Sequence, residues 1–157
     1  MRAEEPVFTP ADPDFAARVL ASFARQGLMQ ELGAHLENIR PGFCEIRLPF
    51  RQGLSQQHGF FHAGATAAIV DSAGGYAAFS LMGAADSVLS VEYKINLLAP
   101  AKGDLLIARA RVLRAGQTLT VCHADVFVRR ESKETLCATM QQTVMRLRNR
   151  ADLPAPG

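Results

Sequence analysis

One carboxylate, Asp71, stands alone in a long apolar run. From Gly59 to Ala85 it is the only formally charged side chain, and His62 and Tyr76 are the only other titratable groups. A buried carboxylate without partners is costly or is forced to neutralise, so this acid needs either hydrogen-bond donors or a reaction to perform. Just upstream, Gln56, Gln57, His62, Ala63 and Gly64 lead into an Ala- and Gly-rich segment that reads as a helix from about Ala63 to Met82. The N-terminus of a helix presents free N–H donors and a positive dipole end, which suits negative charge developing on a carbonyl oxygen. Asp71 therefore has two readings: a carboxylate that attacks a carbonyl or activates water, or a structural acid that caps or pairs.

The rest of the chain must hold that helix. Its apolar residues run nearly all the way round, which predicts burial on most sides, and Ala65, Ala68, Ala73, Gly74 and Ala77 allow a close approach to another surface. Asp12-Pro13-Asp14 signals an earlier helix start with Asp12 at the N-cap; Phe15, Val19, Leu20 and Phe23 follow at helical spacing, and Gly27 ends it. Leu28 to Ile39 and Phe43 to Phe50 read as strands about an Arg40-Pro41-Gly42 turn, and Arg51 to Phe61 as a loop.

Four runs after the helix, Ser87 to Leu97, Asp104 to Arg114, Leu119 to Arg129 and Thr135 to Leu147, carry the period-two alternation of half-buried strands. In the first, Leu89, Val91, Tyr93, Ile95 and Leu97 take one face and Ser90, Glu92, Lys94 and Asn96 the other. Ala115-Gly116 makes a tight hairpin. The order predicts an α+β fold, an antiparallel sheet wrapped around a long central helix. The chain divides into an N-terminal segment and helix (1–27), the main domain (28–147) and a flexible tail (148–157).

A chain of 157 residues is one domain, and its net charge of +2 makes no electrostatic case for nucleic acid. Cys44, Cys122 and Cys137 have neither a metal-ligand spacing nor a disulfide framework, so buried free thiols in a reducing compartment and a cytoplasmic location are expected. Met1 to Pro10 lacks the apolar segment of a secretory signal. Ala65 to Ala85 is long enough for a membrane span, but Asp71, Gly74-Gly75 and Ser80 argue against one.

Taken together, His62-Ala63-Gly64, Val70-Asp71-Ser72, Ser90-Val91-Glu92-Tyr93-Lys94-Ile95-Asn96 and Ala99-Pro100-Ala101 resemble the hotdog fold, and within it the phenylacetate-pathway (PaaI-type) acyl-CoA thioesterases. That family has His-Gly-Gly at the loop-to-helix junction and an acid nine positions after the His, the spacing of His62 and Asp71. A second His-Gly pair, His58-Gly59, lacks that spacing. Ala63 replaces the first Gly of the motif; its N–H remains a donor, while its methyl adds bulk. Gln56 stands where the family often has Asn.

The resemblance implies hydrolysis of acyl-CoA thioesters, with Asp71, Ala63, Gly64, Gln56, His62 and Ser90 as the catalytic set. Phe60, Phe61, Arg114 and Gly116 are expected at the substrate, with Arg129 and Arg130 as further candidates for the CoA phosphates. CoA is part of the substrate, and no metal or other cofactor is implied. Nine residues of straight helix rise about 13.5 Å and end about half a turn out of phase, so His62 and Asp71 of one chain cannot easily meet. A homodimer or homotetramer with a composite site is expected: Gln56, His62, Ala63 and Gly64 from one subunit, Asp71 and Ser90 from the other. The competing reading is a non-catalytic hotdog module that binds an acyl-CoA or related ligand. A hotdog hydratase or dehydratase would need a His–acid pair at other spacings.

Overall fold

The computed structural model describes residues 6–153. In chain order the elements are α1 (Phe15–Phe23), α2 (Gly27–Leu32), β1 (His35–Arg40), β2 (Phe43–Pro49), α3 (Ala63–Phe79), β3 (Ser87–Leu97), β4 (Leu105–Ala115), β5 (Leu119–Arg130) and β6 (Lys133–Leu147). The strands form one sheet in the order β1-β2-β4-β5-β6-β3, antiparallel at every step. Helix α3 packs on this sheet, touching β2, β3, β4, β5 and β6. The expected α+β architecture, a hotdog fold, is the one observed.

Period-two patterning builds the core. Cys44, Ile46 and Leu48 of β2, Ala108 and Ala110 of β4, and Cys122 and Ala124 of β5 are fully buried, as are Ile69, Val70, Ala73 and Ala77 of α3. Small side chains on both sides bring the helix close to the sheet. Burial raises the thiol of Cys122 to about 12 and that of Cys137 to about 11, so neither is a ready nucleophile.

Three expectations need correction at the N-terminal side. Leu28 to Leu32 is helix α2 rather than the start of a strand: Gly27 opens it, and Gly33, at φ 77°, ends it in the left-handed region. The helix formed by Phe15 to Phe23 does not start at Asp12. Instead the Asp12 carboxylate accepts from the Asp14 N–H at 2.9 Å and from Arg18 at 2.8 Å. Arg18 also donates to the Met82 carbonyl at 2.7 Å and stacks on the Phe79 ring at 4.2 Å. This cation satisfies carbonyls at the C-terminal end of α3 and ties α1 to it.

The tail is not free as far as Leu153. Asn149, in the left-handed region at φ 51°, turns the chain back, and its N–H donates to Asp86 at 3.1 Å. Arg146 holds the same carboxylate at 2.7 Å. Arg25 then grips Asp152 at the carboxylate, 2.8 Å, and at the backbone carbonyl, 2.6 Å. The expectations for residues 1–5 and 154–157 lie outside the described residues.

On the sheet face away from α3, Arg109 bridges Glu45 at 2.8 Å and Glu134 at 2.7 Å, and Arg129 joins Glu134 at 2.9 Å. Arg109 and then Arg129 hold the Glu134 carboxyl down to about 2. A depressed carboxyl stabilises the fold above its unfolded value, 4.5, and that contribution is lost as pH falls through about 2. Urea midpoints measured between those limits are expected to fall less steeply in Glu134→Gln than in wild type.

Candidate active site

Helix α3 presents one stripe that the sheet does not cover. Ala63, Gly64, Ala67, Ala68, Asp71 and Gly75, on one face at helical spacing, are its least buried positions. Asp71 is therefore half-buried at a surface rather than sealed in the core, and it is not unpartnered. Ser90 Oγ donates to Asp71 Oδ1 at 2.7 Å, and Gln142 Nε2 donates to the same oxygen at 2.5 Å.

Ser90 reaches Asp71 because of an irregularity in β3. The β3–β6 register shifts between Ser90 and Glu92, so Ser90 pairs with Val144 while Tyr93 pairs with Gln142. Val144 and Gln142 are both fully buried on the α3 side. Ser90 therefore shares the α3 face with Tyr93, Ile95 and Leu97, instead of lying with Glu92 and Lys94 as strict alternation predicts. A bulge of this kind re-aims a side chain next to a site.

Two clefts flank α3, and no residue lines both. The first, about 630 Å³, holds Asp71, Ser90, Ser72 and Tyr76. Gln26 accepts from Ser72 at 3.0 Å, and Tyr76 OH lies 3.1 Å from Ser22 Oγ. Arg150 to Leu153 form the far wall. Arg25, Ala151, Asp152 and Leu153 also line a smaller pocket on the other side, so the tail is a partition held by Arg25.

The second cleft, about 560 Å³, holds Gln56, Gln57, Phe60, Phe61, His62 and Ala63. His62 is the N-cap of α3, and its Nδ1 accepts from the Gly64 N–H at 2.8 Å. Nδ1 is thereby committed to the cap, which leaves Nε2 as the free ring nitrogen of an exposed side chain. The cap occupies the Gly64 donor, which the sequence reading had left open for substrate. The Ala63 N–H, first in the helix, has no acceptor among the described residues, and Ala63 is exposed and lines this cleft. Gln56 Oε1 accepts from the His58 N–H, which leaves the Gln56 amide nitrogen toward the cleft. His58 lies in the preceding turn and lines neither cleft, so the helix-capping His is His62.

Phe61 packs edge-on against Phe50 at 5.1 Å and is largely core, whereas Phe60 stays at the cleft mouth beneath Lys102 at 5.8 Å. Arg114 and Gly116 line neither cleft; Gly116 closes the β4–β5 hairpin through its N–H to the Leu119 carbonyl at 2.9 Å. Arg129 is committed to Glu134. Sequence reasoning missed Gln142, Lys102, Tyr76, Arg25 and the tail wall. Only Gln142 left a signal, a polar residue on the face of β6 that Met140 and Val144 assign to the core.

Among the described residues no three His, Cys, Asp or Glu side chains cluster as a metal site, and no helix is long and apolar enough to cross a membrane.

The thioesterase superfamily model matches residues 58–135, from the turn before α3 into β6. A Halobacterium salinarum protein that carries the name "Putative esterase" is 34% identical over 124 residues, 75% of this chain and 82% of that protein. A thioesterase family protein from Silicibacter pomeroyi superposes with a TM-score of 0.84 at 46% identity, covering 85% of this chain and 98% of the other. The Escherichia coli PaaI protein of the phenylacetic acid degradation operon superposes at 0.80 with 18% identity over 90% of this chain and 99% of its own, a likeness of fold. With the fold, these matches place the chain in the thioesterase superfamily, hotdog proteins whose shared reaction is thioester hydrolysis.

Proposed function

We propose that this protein hydrolyses acyl-CoA thioesters at a site built from two copies of the chain. The carrying observation is where the clefts sit along β3. Ser87 to Ser90, at its start, line the Asp71 cleft, and Leu97, at its end, lines the His62 cleft. Antiparallel pairing of β3 with the β3 of a second copy sets the start of one strand against the end of the other. Each Asp71 cleft then abuts the partner's His62 cleft.

Strand β3 is suited to that pairing. It is an edge strand 11 residues long, with Leu89 and Val91 each 53% exposed and Leu97 59%. Long, apolar, unpaired edges invite another strand. The opposite edge, β1, has 6 residues, charged side chains and a bulge, all features that discourage pairing.

In the joined site the Ala63 N–H faces the thioester carbonyl oxygen and Asp71 lies on the other side of the carbonyl carbon. Asp71 Oδ2 takes a proton from water, the hydroxide adds to carbon, and the oxyanion is held by Ala63. Collapse breaks the C–S bond and expels the CoA thiolate, which takes up the proton; free acid and CoA leave. Direct attack by Asp71 through an anhydride uses the same geometry. Gln56 and His62 position the carbonyl, and Lys102, over the ring of the cleft residue Phe60, gives the CoA phosphates a cation. No metal or redox cofactor enters these steps.

Thiol release from short, medium, long and aryl acyl-CoAs tests the activity. Turnover on some of them is expected. Tight acyl-CoA binding without any release overturns the enzyme reading in favour of a ligand-binding module. The tail partition makes a second prediction: Arg25→Ala frees the far wall of the Asp71 cleft, so kcat/KM for long acyl chains relative to short ones is expected to rise about tenfold.

A further inference from the structure

The side chain of Gln142 is wholly buried, with no exposed surface, and lies between β6 and α3. Its Nε2 is within bonding distance of three oxygens: Asp71 Oδ1 at 2.5 Å, Ser90 Oγ at 3.0 Å and the Asp71 carbonyl at 3.2 Å. A carboxylate and a carbonyl only accept, so the amide must present its NH₂ group there; the flipped amide would set oxygen against oxygen. Ser90 receives one of these N–H groups, which directs its own proton to Asp71 Oδ1 at 2.7 Å. Oδ1 thus takes two donors, while Asp71 Oδ2 makes no hydrogen bond to any described residue.

The other end of the amide shows what this arrangement costs. Gln142 Oε1 is buried without a partner. It fits only because residue 74 is glycine: a Cβ on Gly74 would lie 1.8 Å from Oε1 and 3.0 Å from the Gln142 amide carbon. An unpaired buried acceptor and a glycine inside a helix are both destabilising. A methionine at 142 and an alanine at 74 would relieve both. Unsatisfied groups of this kind call for a functional reason.

We infer that Gln142, given room by Gly74, is the positioning residue of the Asp71 carboxylate: it saturates Oδ1, aims the Ser90 proton and leaves Oδ2 as the oxygen that meets the substrate. This rests on the reading of Asp71 given above. Gln142 touches no substrate; it acts by fixing the orientation of the carboxylate. The charged or titratable groups sharing the Asp71 cleft are Arg25, Tyr76, Arg150 and Asp152, of which Arg25 and Asp152 pair with each other at 2.8 Å. In the dimer the partner's His62 joins them.

The test compares wild type, Gln142→Met and Gly74→Ala in the full-length dimer. Thermal melts and sedimentation check the fold, and kcat, KM and kcat/KM are measured from pH 4 to 9. The Asp71 carboxyl is observed by carbon-13 NMR at one fixed pH, its signal assigned by its loss in Asp71→Asn. Both variants are expected to lose about 10- to 100-fold in kcat with KM nearly unchanged. With the donors to Oδ1 gone, the Asp71 carboxyl signal moves in both variants, and neither substitution costs further activity in the Asp71→Asn background. Gln142→Met is expected to melt no lower than wild type.

Unchanged kcat in both variants overturns the inference, as does a loss of kcat with the Asp71 signal unmoved, the mark of a packing role. If wild type releases no thiol from any acyl-CoA, the reading of the reaction fails instead. The carboxyl signal then still decides: a displaced signal in both variants upholds the positioning role, and an unmoved one removes it.

Discussion

Asp71→Asn is expected to reduce thiol release by a factor of about 10³ while melting temperature and oligomeric state stay close to wild type. The asparagine keeps an acceptor oxygen where Oδ1 stands, so the bonds from Ser90 at 2.7 Å and from Gln142 survive the substitution. It replaces Oδ2 with an NH₂ group, which can neither attack a carbonyl nor take a proton from water. The substitution separates the two readings that the sequence left open, because a structural acid held by two donors tolerates the change and a reacting one does not. Activity retained within about tenfold would return Asp71 to a structural role. Single-turnover hydrolysis in oxygen-18 water then divides the two chemical routes. An Asp71 oxygen in the first-turnover acid marks carboxylate attack, with water opening the anhydride at the Asp71 carbonyl, whereas base catalysis places only the water oxygen in the product.

The parts of this fold that were legible in the sequence were those that one face of one element dictates. Alternation over Phe43 to Pro49 and Leu105 to Ala115 placed Cys44, Ile46, Leu48, Ala108 and Ala110 inside, where they are. The small residues of α3 marked the helix that packs on the sheet, and the isolated acid marked the carboxylate that meets Ser90 and Gln142. Ser90 was named from the family pattern but set on the wrong face, because a bulge adds a residue without changing the composition of the strand. Leu28 to Leu32 was read as strand because its apolar residues fit either period; the left-handed Gly33 that closes the helix is a tertiary outcome as much as a local one.

The wall of the Asp71 cleft was illegible for another reason. It depends on Arg25 meeting Asp152 across the chain, and no local pattern encodes that meeting. Gln142 could have been found, since Ala138, Met140 and Val144 around it alternate inward and all three are buried. A polar residue in that series is the kind of local exception that sites produce.

The composite site itself is tested by mixing two inactive proteins. Ala63→Pro removes one N–H and little else. Proline is accommodated at the first position of a helix, and His62 before it already has extended backbone angles, φ −66° and ψ 139°, which a following proline favours. Losing the donor is expected to cost about 10²- to 10³-fold in kcat, and the helix remains. In a heterodimer of Ala63→Pro with Asp71→Asn, one joint site carries both defects and the other carries neither. Random exchange makes about half of the dimers mixed, so about a quarter of all sites are intact and about a quarter of wild-type activity is expected to return. Co-expression followed by assay of the mixed preparation reads this directly. If Ala63 and Asp71 of the same chain served one site, every site would carry one of the two defects and the mixture would stay as inactive as its parents. Recovered activity would therefore tie the chemistry of α3 to the open edge of β3, an edge strand whose exposed apolar residues and unpaired backbone both favour pairing with a second copy.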